Sequence, residues 1–275
     1  MVNPISFPGL GLGPFDPNPT AFTVFGFGIQ WYGVIFAVGF LLAALYATRM
    51  TKVAGVKADD FSDALLFCVP AAVIGSRLYY VVFNFSAFKG NMIRIFFIRE
   101  GGLAIYGAVI FALLTAFIFC RVRKISARKM FDLGALGFLI GQSIGRWGNY
   151  FNREVFGVET TLPWRMELYS FQAGMRVQVH PTFFYESLWN AIGFTILHFL
   201  YPRRKYDGQI FLCYIAWYGL GRGLIESVRA DTLFLFNTGL MVSQLVAFVS
   251  FAAAVGLLVY YELKRKAAEL IKSEE

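Results

Sequence analysis

The residues of this chain with the clearest chemical potential sit in "SIGRWGNYFNREVFG", residues 143–157, just after the apolar run "LGALGFLIG" and Gln142. Arg146, Asn149, Asn152, Arg153 and Glu154 crowd a segment at bilayer depth, where one such side chain costs a few kcal/mol. On a helix Gln142, Arg146, Asn149 and Arg153 fall at i, i+4, i+7 and i+11 and share one face. A second stripe holds Tyr218, Arg222, Glu226 and Arg229 at i, i+4, i+8 and i+11. Guanidinium forks suit two-point recognition of phosphate oxygens, and a phosphate at this depth belongs to a phospholipid headgroup. Positioned arginines also stabilise negative charge that develops on a phosphate leaving group. Glu226 is the candidate proton acceptor where Arg222 does not silence it as an i, i+4 partner, and Glu154 orients an arginine or the headgroup.

Further polar groups converge on the same end of the apolar runs. In "HPTFFYES", Thr182, Glu186 and Asn190 share a face and His180 stands at the mouth, while His198, near the opposite end, is read as structural. Tyr32 in "IQWYG" and Tyr106 in "GGLAIYG" lie at the outer interface, Tyr106 behind Gly101 and Gly102, which admit backbone or ligand. Gly137, Gly141 and Gly145 recur every four residues, a spacing that lets membrane helices approach closely.

The elements that must position these groups are membrane helices. The chain is 57% hydrophobic, only 15% charged and has a mean hydropathy of +0.59, outside the range of a soluble domain. Its fold class is all-α integral membrane, one transmembrane domain over residues 1–275. Seven spans are predicted at 28–48, 61–83, 103–120, 131–149, 184–201, 209–227 and 238–262. With the N-terminus outside, the inner connections and tail carry fifteen Lys and Arg residues against seven, Arg146 aside, on the outer side. The excess of 25 Lys+Arg over 17 Asp+Glu therefore reads as topology and not as a nucleic-acid face. Residues 84–102 read as an interfacial arm with Lys89, Arg94 and Arg99 among aromatics, and 150–183 as a small outer cap. Within the cap, "WRMELYSF" and "MRVQV" around "QAG" suggest a strand hairpin. Residues 1–22 read as a Pro/Gly-rich tail and not as a cleaved signal. Cys68, Cys120 and Cys213 lack metal or redox spacing and read as packing residues, so no metal or cofactor is expected. The chemistry fits a lipid-modifying enzyme best. A transporter or flippase of an anionic lipid is the alternative, and a structural scaffold comes third. A transporter would carry polar residues to the inner face, where runs such as "VIFALLTAFIFC" are bare.

Taken in order, "IQWYG", "GGLAIYG", "GRWGNYFNREVFG", "HPTFFYES" and "GRGLIESVR" resemble the motifs of the prolipoprotein diacylglyceryl transferase family over nearly the whole chain. The resemblance implies transfer of a diacylglyceryl group from phosphatidylglycerol to the lipobox cysteine of a preprolipoprotein signal peptide. It implies a thioether product, release of glycerol 1-phosphate and a multi-pass place in the bacterial inner (cytoplasmic) membrane, with the active site toward the outer leaflet. Tyr32, Arg146, Asn149, Asn152, Glu154, Gly157, Arg222 and Glu226 match the family's functional positions. Tyr106 stands where many members have a histidine cast as the base, and a phenol titrating at about 10 is a weak proton acceptor at neutral pH. The expected catalytic residues are Arg146, Arg222, Glu226 and Tyr106, and the expected substrate contacts are Tyr32, Asn149, Asn152, Glu154, Gly157 and His180.

Overall fold

The computed structural model describes residues 4–98, 101–170, 173–232, 234–235 and 238–274. Arg99 of the arm and the turn residues 171–172 of the cap hairpin lie outside them. Seven helices of 18 residues or more are present among the described residues: α1 (Trp31–Ala54), α2 (Ala58–Phe83), α3 (Ile105–Val122), α4 (Ala127–Asn152), α5 (Thr182–Leu200), α6 (Gln209–Glu226) and α7 (Val242–Glu274). Of these, α1, α2, α3 and α7 are long and apolar enough to cross a membrane. The other three carry the polar side chains described below, which dilute their apolarity.

The chain divides into two units. In the unit of residues 47–133, α2 packs along α3 through a close glycine crossing: a Cβ on Gly107 would lie 2.2 Å from the carbonyl oxygen of Gly75. Arg77, which the sequence reading passed over, is buried in this unit and shapes the arm. Its Nε donates to Ile95 O at 2.8 Å, Nη1 to Gly101 O at 2.8 Å and Nη2 to Arg94 O at 2.6 Å. A guanidinium has five fixed donors and no acceptor, so one side chain can gather carbonyls that a short irregular segment would otherwise leave unsatisfied. The arm itself is built of two 3-10 turns, Phe85–Phe88 and Met92–Phe96.

The other unit, residues 1–46 and 134–275, contains the cap. The expected hairpin is there: β5 (Met166–Ser170) and β6 (Met175–Val179) pair antiparallel from Met166↔Val179 to Ser170↔Met175. The N-terminal segment is not a tail. Its strands β1 (Ile5–Phe7) and β2 (Leu12–Phe15) extend the hairpin into a sheet of order β2-β1-β5-β6, with Ser6 opposite Glu167. Two further strands, β3 (Thr20–Val24) and β4 (Phe27–Gln30), form a separate ribbon. Proline and glycine punctuate this segment without preventing its strands, because each strand is short and the open edge of β5 supplies a template for β1, on which β2 pairs in turn. Ile5, Met166, Leu168, Val177 and Val179 make the cap core against Phe183 of α5, so α5 enters the unit from a fixed root.

Candidate active site

Three helices are aligned by reciprocal side-chain bonds before any charge is considered. Between α4 and α5, Ser143 Oγ donates to Ser187 O at 2.9 Å and Ser187 Oγ to Ser143 O at 2.8 Å. Between α5 and α6, Trp189 Nε1 donates to Trp217 O and Trp217 Nε1 to Trp189 O, each at 3.0 Å, with the indoles stacked 4.5 Å apart. The indoles need space that only glycine leaves: a Cβ on Gly221 would sit 2.1 Å from Trp189 Nε1, and one on Gly193 2.3 Å from Trp217 Nε1. Small hydroxyl and glycine positions are how apolar helices gain close contact without a hydrophobic drive between them. The glycines expected to do this on α4 do not: a Cβ on Gly141 or Gly145 meets nothing within 4 Å, and on Gly137 only ordinary contact with Ala43. The close approaches on this helix are instead Gly148 against the Tyr32 ring and Ile144 against Gly39.

These clasps bring Glu186 between two arginine-bearing helices. Its carboxylate side chain is 4% exposed; Oε1 accepts from Arg222 Nη1 at 2.9 Å and Arg229 Nη1 at 3.3 Å, and Oε2 pairs with Arg146 Nη2. Glu226 is equally buried and pairs with Arg222 Nη2 at 2.6 Å and Arg229 Nε at 3.7 Å. Arg229 closes the arrangement on Asp231, with Nε to Oδ1 at 3.0 Å and Nη2 to Oδ2 at 2.8 Å. Three guanidiniums thus face two buried carboxylates, and a half-exposed aspartate supplies the third negative charge. Of the three, Arg146 keeps the greatest side-chain exposure, 23%. An anion entering here meets preorganised donors whose carboxylate partners already fix their rotamers.

The signature segment folds back on itself beside this cluster. Glu154 Oε1 accepts from Asn149 Nδ2 at 2.9 Å and Asn152 Nδ2 at 3.3 Å, so Glu154 orients two amides and not an arginine. Arg153 departs from the face it was expected to share with Arg146: α4 ends at Asn152, Arg153 turns to a φ of 54°, and its guanidinium pairs with Asp16 at 2.7 Å. The backbone then pairs with the segment after α6, Val158 N donating to Val228 O at 2.8 Å and Gly157 N to His180 O at 2.9 Å. At Gly157 a Cβ would lie 2.5 Å from Val228 O and 2.6 Å from His180 Cβ, so this glycine lets three backbones meet and holds Arg229 over the cluster. His180 Nδ1 bonds the Tyr185 hydroxyl at 3.1 Å, and burial pushes the ring below its ordinary value. Tyr32 packs on α4 at Gly148, next to Asn149, with its ring half exposed.

Of the expected site residues, Arg146, Arg222 and Glu226 are gathered in one ion-pair cluster, and Asn149, Asn152 and Glu154 in an adjoining hydrogen-bonded turn. Tyr106 belongs to the other unit, at the start of α3, with its ring centroid 6.4 Å from that of Tyr79. The reading placed Glu186 on a polar helix face and Arg229 on the second stripe, but gave neither a site role. The signal for Glu186 was an acidic side chain inside an apolar run, in a chain with arginines in two other such runs.

Comparison with known proteins bears directly on this geometry. A family model described as Prolipoprotein diacylglyceryl transferase matches residues 19–260. Proteins named phosphatidylglycerol–prolipoprotein diacylglyceryl transferase are similar to the chain along most of both lengths. That of Clostridioides difficile (strain 630) is 39% identical over 246 residues, covering 90% of this chain and 96% of the relative. That of Finegoldia magna is 37% identical over 256 residues, covering 93% and 98%. That of Enterococcus faecalis is 40% identical over 250 residues, covering 88% and 90%. The match spans both arginine-bearing helices and the carboxylate helix between them, and the chain belongs to the prolipoprotein diacylglyceryl transferase family.

Proposed function

We propose that this protein transfers the diacylglyceryl group of phosphatidylglycerol to the thiol of a lipobox cysteine in a prolipoprotein signal peptide, the first step of lipoprotein maturation. The observation that carries the proposal is the convergence of Arg146, Arg222 and Arg229 from three segments on the single buried carboxylate of Glu186. The thiolate sulfur attacks the sp³ glyceryl carbon, an S–C bond forms, the C–O bond to phosphate breaks, and glycerol 1-phosphate leaves with the electron pair. Arg146, the most accessible guanidinium, takes the phosphate oxygens, while Arg222 and Arg229 strengthen the positive field behind it. The thiol has an ordinary pKa of about 8.5, and a guanidinium-rich pocket favours its thiolate form. Glu226 is held by Arg222 and Arg229, which makes it a weaker candidate acceptor for the thiol proton than its sequence position suggested. Asn149, Asn152 and Glu154 form a polar rim for the glycerol headgroup, with Tyr32 beside them. His180 and Gly157 hold that rim, and Tyr106, at the start of α3, serves as a lipid contact.

In this reading α1 to α7 all cross the bacterial inner membrane within one membrane-embedded domain. The N-terminus, the cap and the site face the outer side, and the arm lies in the interface. Transport of an anionic lipid is the less favoured reading, since the named relatives are transferases. Purified protein mixed with phosphatidylglycerol vesicles and a lipobox peptide should give a peptide whose mass rises by one diacylglyceryl group through a thioether. Lipid translocation without that adduct would overturn the proposal in favour of transport.

A further inference from the structure

The β3–β4 ribbon stands apart from the four-stranded sheet, and its register sorts its side chains by polarity. Phe22↔Ile29 and Val24↔Phe27 are opposite pairs, so these four apolar side chains share one face. Thr23↔Gly28 and Ala21 make the other face. The apolar face is exposed, as is the tip, where Phe25 is 97% exposed at a φ of 49°. Apart from Thr23 on that other face, polar side chains in the ribbon are confined to the base, where Gln30 Nε2 donates to Thr20 Oγ1 at 3.3 Å. Two-stranded ribbons are marginal in water, and one with a bare aromatic face needs a covering medium.

Two observations identify that medium. Gln30 is followed at once by Trp31, the first residue of α1, and Trp31 N donates to Pro19 O at 2.8 Å, so the ribbon is rooted on a helix apolar enough to cross a membrane. From residue 17 to residue 48, ribbon and helix together, there is no Lys, Arg, Asp, Glu or His. We propose that the ribbon is a lipid-inserted finger, its Phe22, Val24 and Ile29 face and its Phe25 tip lying among the acyl chains beside the root of α1. Without charge it binds the apolar layer and not the headgroups, so its insertion is insensitive to salt and to the anionic fraction of the lipid. Its root adjoins the site: Trp31 stacks on Phe151 at 5.2 Å and Tyr32 lies on Gly148. The finger therefore serves capture of the donor lipid and not the bond-making step. The insertion rests on the membrane-spanning reading of α1, and only the effect on capture rests on the transferase reading.

The test uses the full chain in phosphatidylglycerol vesicles, with Cys68, Cys120 and Cys213 replaced by alanine and an environment-sensitive fluorophore on Phe25→Cys or Thr23→Cys. The label at 25 should emit as in hydrocarbon and be quenched by brominated acyl chains, at low and high salt alike, and the label at 23 much less. A label at 25 quenched by aqueous iodide instead, or responding only when a lipobox peptide is added, would overturn the proposal. In turnover, Phe22→Asp with Phe25→Asp should raise KM for vesicle donor about tenfold with kcat nearly unchanged, and Thr23→Asp should do neither. Unchanged KM in the double variant would defeat the capture role. Absence of transfer in the parent protein would instead defeat the transferase reading and leave the fluorescence result to decide insertion.

Discussion

At the scale of single residues, the site is a problem in charge balance. Glu186 holds Arg146, Arg222 and Arg229 in place, so neutralising it leaves three guanidiniums with one buried carboxylate and Asp231. Glu186→Gln should lose about 3–5 kcal/mol of stability, the usual cost of breaking a buried pair, seen as an earlier denaturant midpoint in detergent. An unchanged midpoint would show the carboxylate to be dispensable to the fold. Arg146→Lys keeps the charge but not the fork, and most of the transfer activity should go despite normal expression, because an ammonium cannot span two phosphate oxygens. Wild-type turnover there would mean that charge alone suffices. For Tyr106, a role in positioning predicts that Tyr106→His stays active and that Tyr106→Phe falls by about one to two decades, the worth of a lost charge-assisted bond. A Phe variant that is dead near neutral pH and restored at alkaline pH would make the tyrosine the base. The arginines were legible in sequence because a buried charge in an apolar run has few innocent explanations. Glu186's part as their common partner was not, because helical spacing relates residues along one helix and the pairing crosses from α5 to α4 and to α6.

At the scale of elements, the site depends on clasps that contain no charge. Ser143 with Ser187 and Trp189 with Trp217 set the spacing of α4, α5 and α6, and Gly193 and Gly221 give the indoles their seats. The helices themselves could be read from apolar runs, since length and hydropathy are local properties. The clasps were illegible because serine, tryptophan and glycine have common roles elsewhere, and only the reciprocity of the bonds distinguishes these. The N-terminal strands were missed for a related reason: three and four residues in a Pro- and Gly-rich segment become strands only as β1 pairs with the open edge of β5 and β2 with β1. The cap also has a pH signature. Hydrogen bonds from Gln178 and then Arg176 hold the Glu167 carboxyl below its ordinary value, so its contribution is present at neutral pH and is lost as pH falls through that lowered value. Burial lowers His180, so the cap is destabilised earlier, once pH drops below the ordinary histidine value of about 6.5. Amide protection in β5 and β6 should weaken in two steps on acidification. His180→Gln should abolish the first step and Glu167→Gln the second; a profile unmoved by either variant would refute the assignment.

At the scale of the whole molecule, Lys and Arg are concentrated in the connections 49–60, 121–130 and 202–208 and in the tail after residue 262. That bias predicts that a reporter fused after Glu275 works only in the cytoplasm, and activity in the exterior compartment would invert the topology. The sheet offers an independent check of a different kind, a rule of parity. Ser6 of β1 lies opposite Glu167 of β5, and a strand ladder cannot form through a bilayer, so these two residues share one side. The chain between them must then cross the membrane an even number of times. By apolarity alone α1, α2 and α3 qualify, an odd count that would strand β1 on the far side from its partner. Adding α4, the helix that carries Arg146 and Asn149, makes the count even, so the proposed seven-span topology agrees with this pairing although α4 is the least apolar of the four. Cysteines placed at Ser6 and Glu167 should accordingly react with the same membrane-impermeant reagent from the same side. Opposite labelling would refute the β1–β5 pairing and, with it, the proposed crossing of α4.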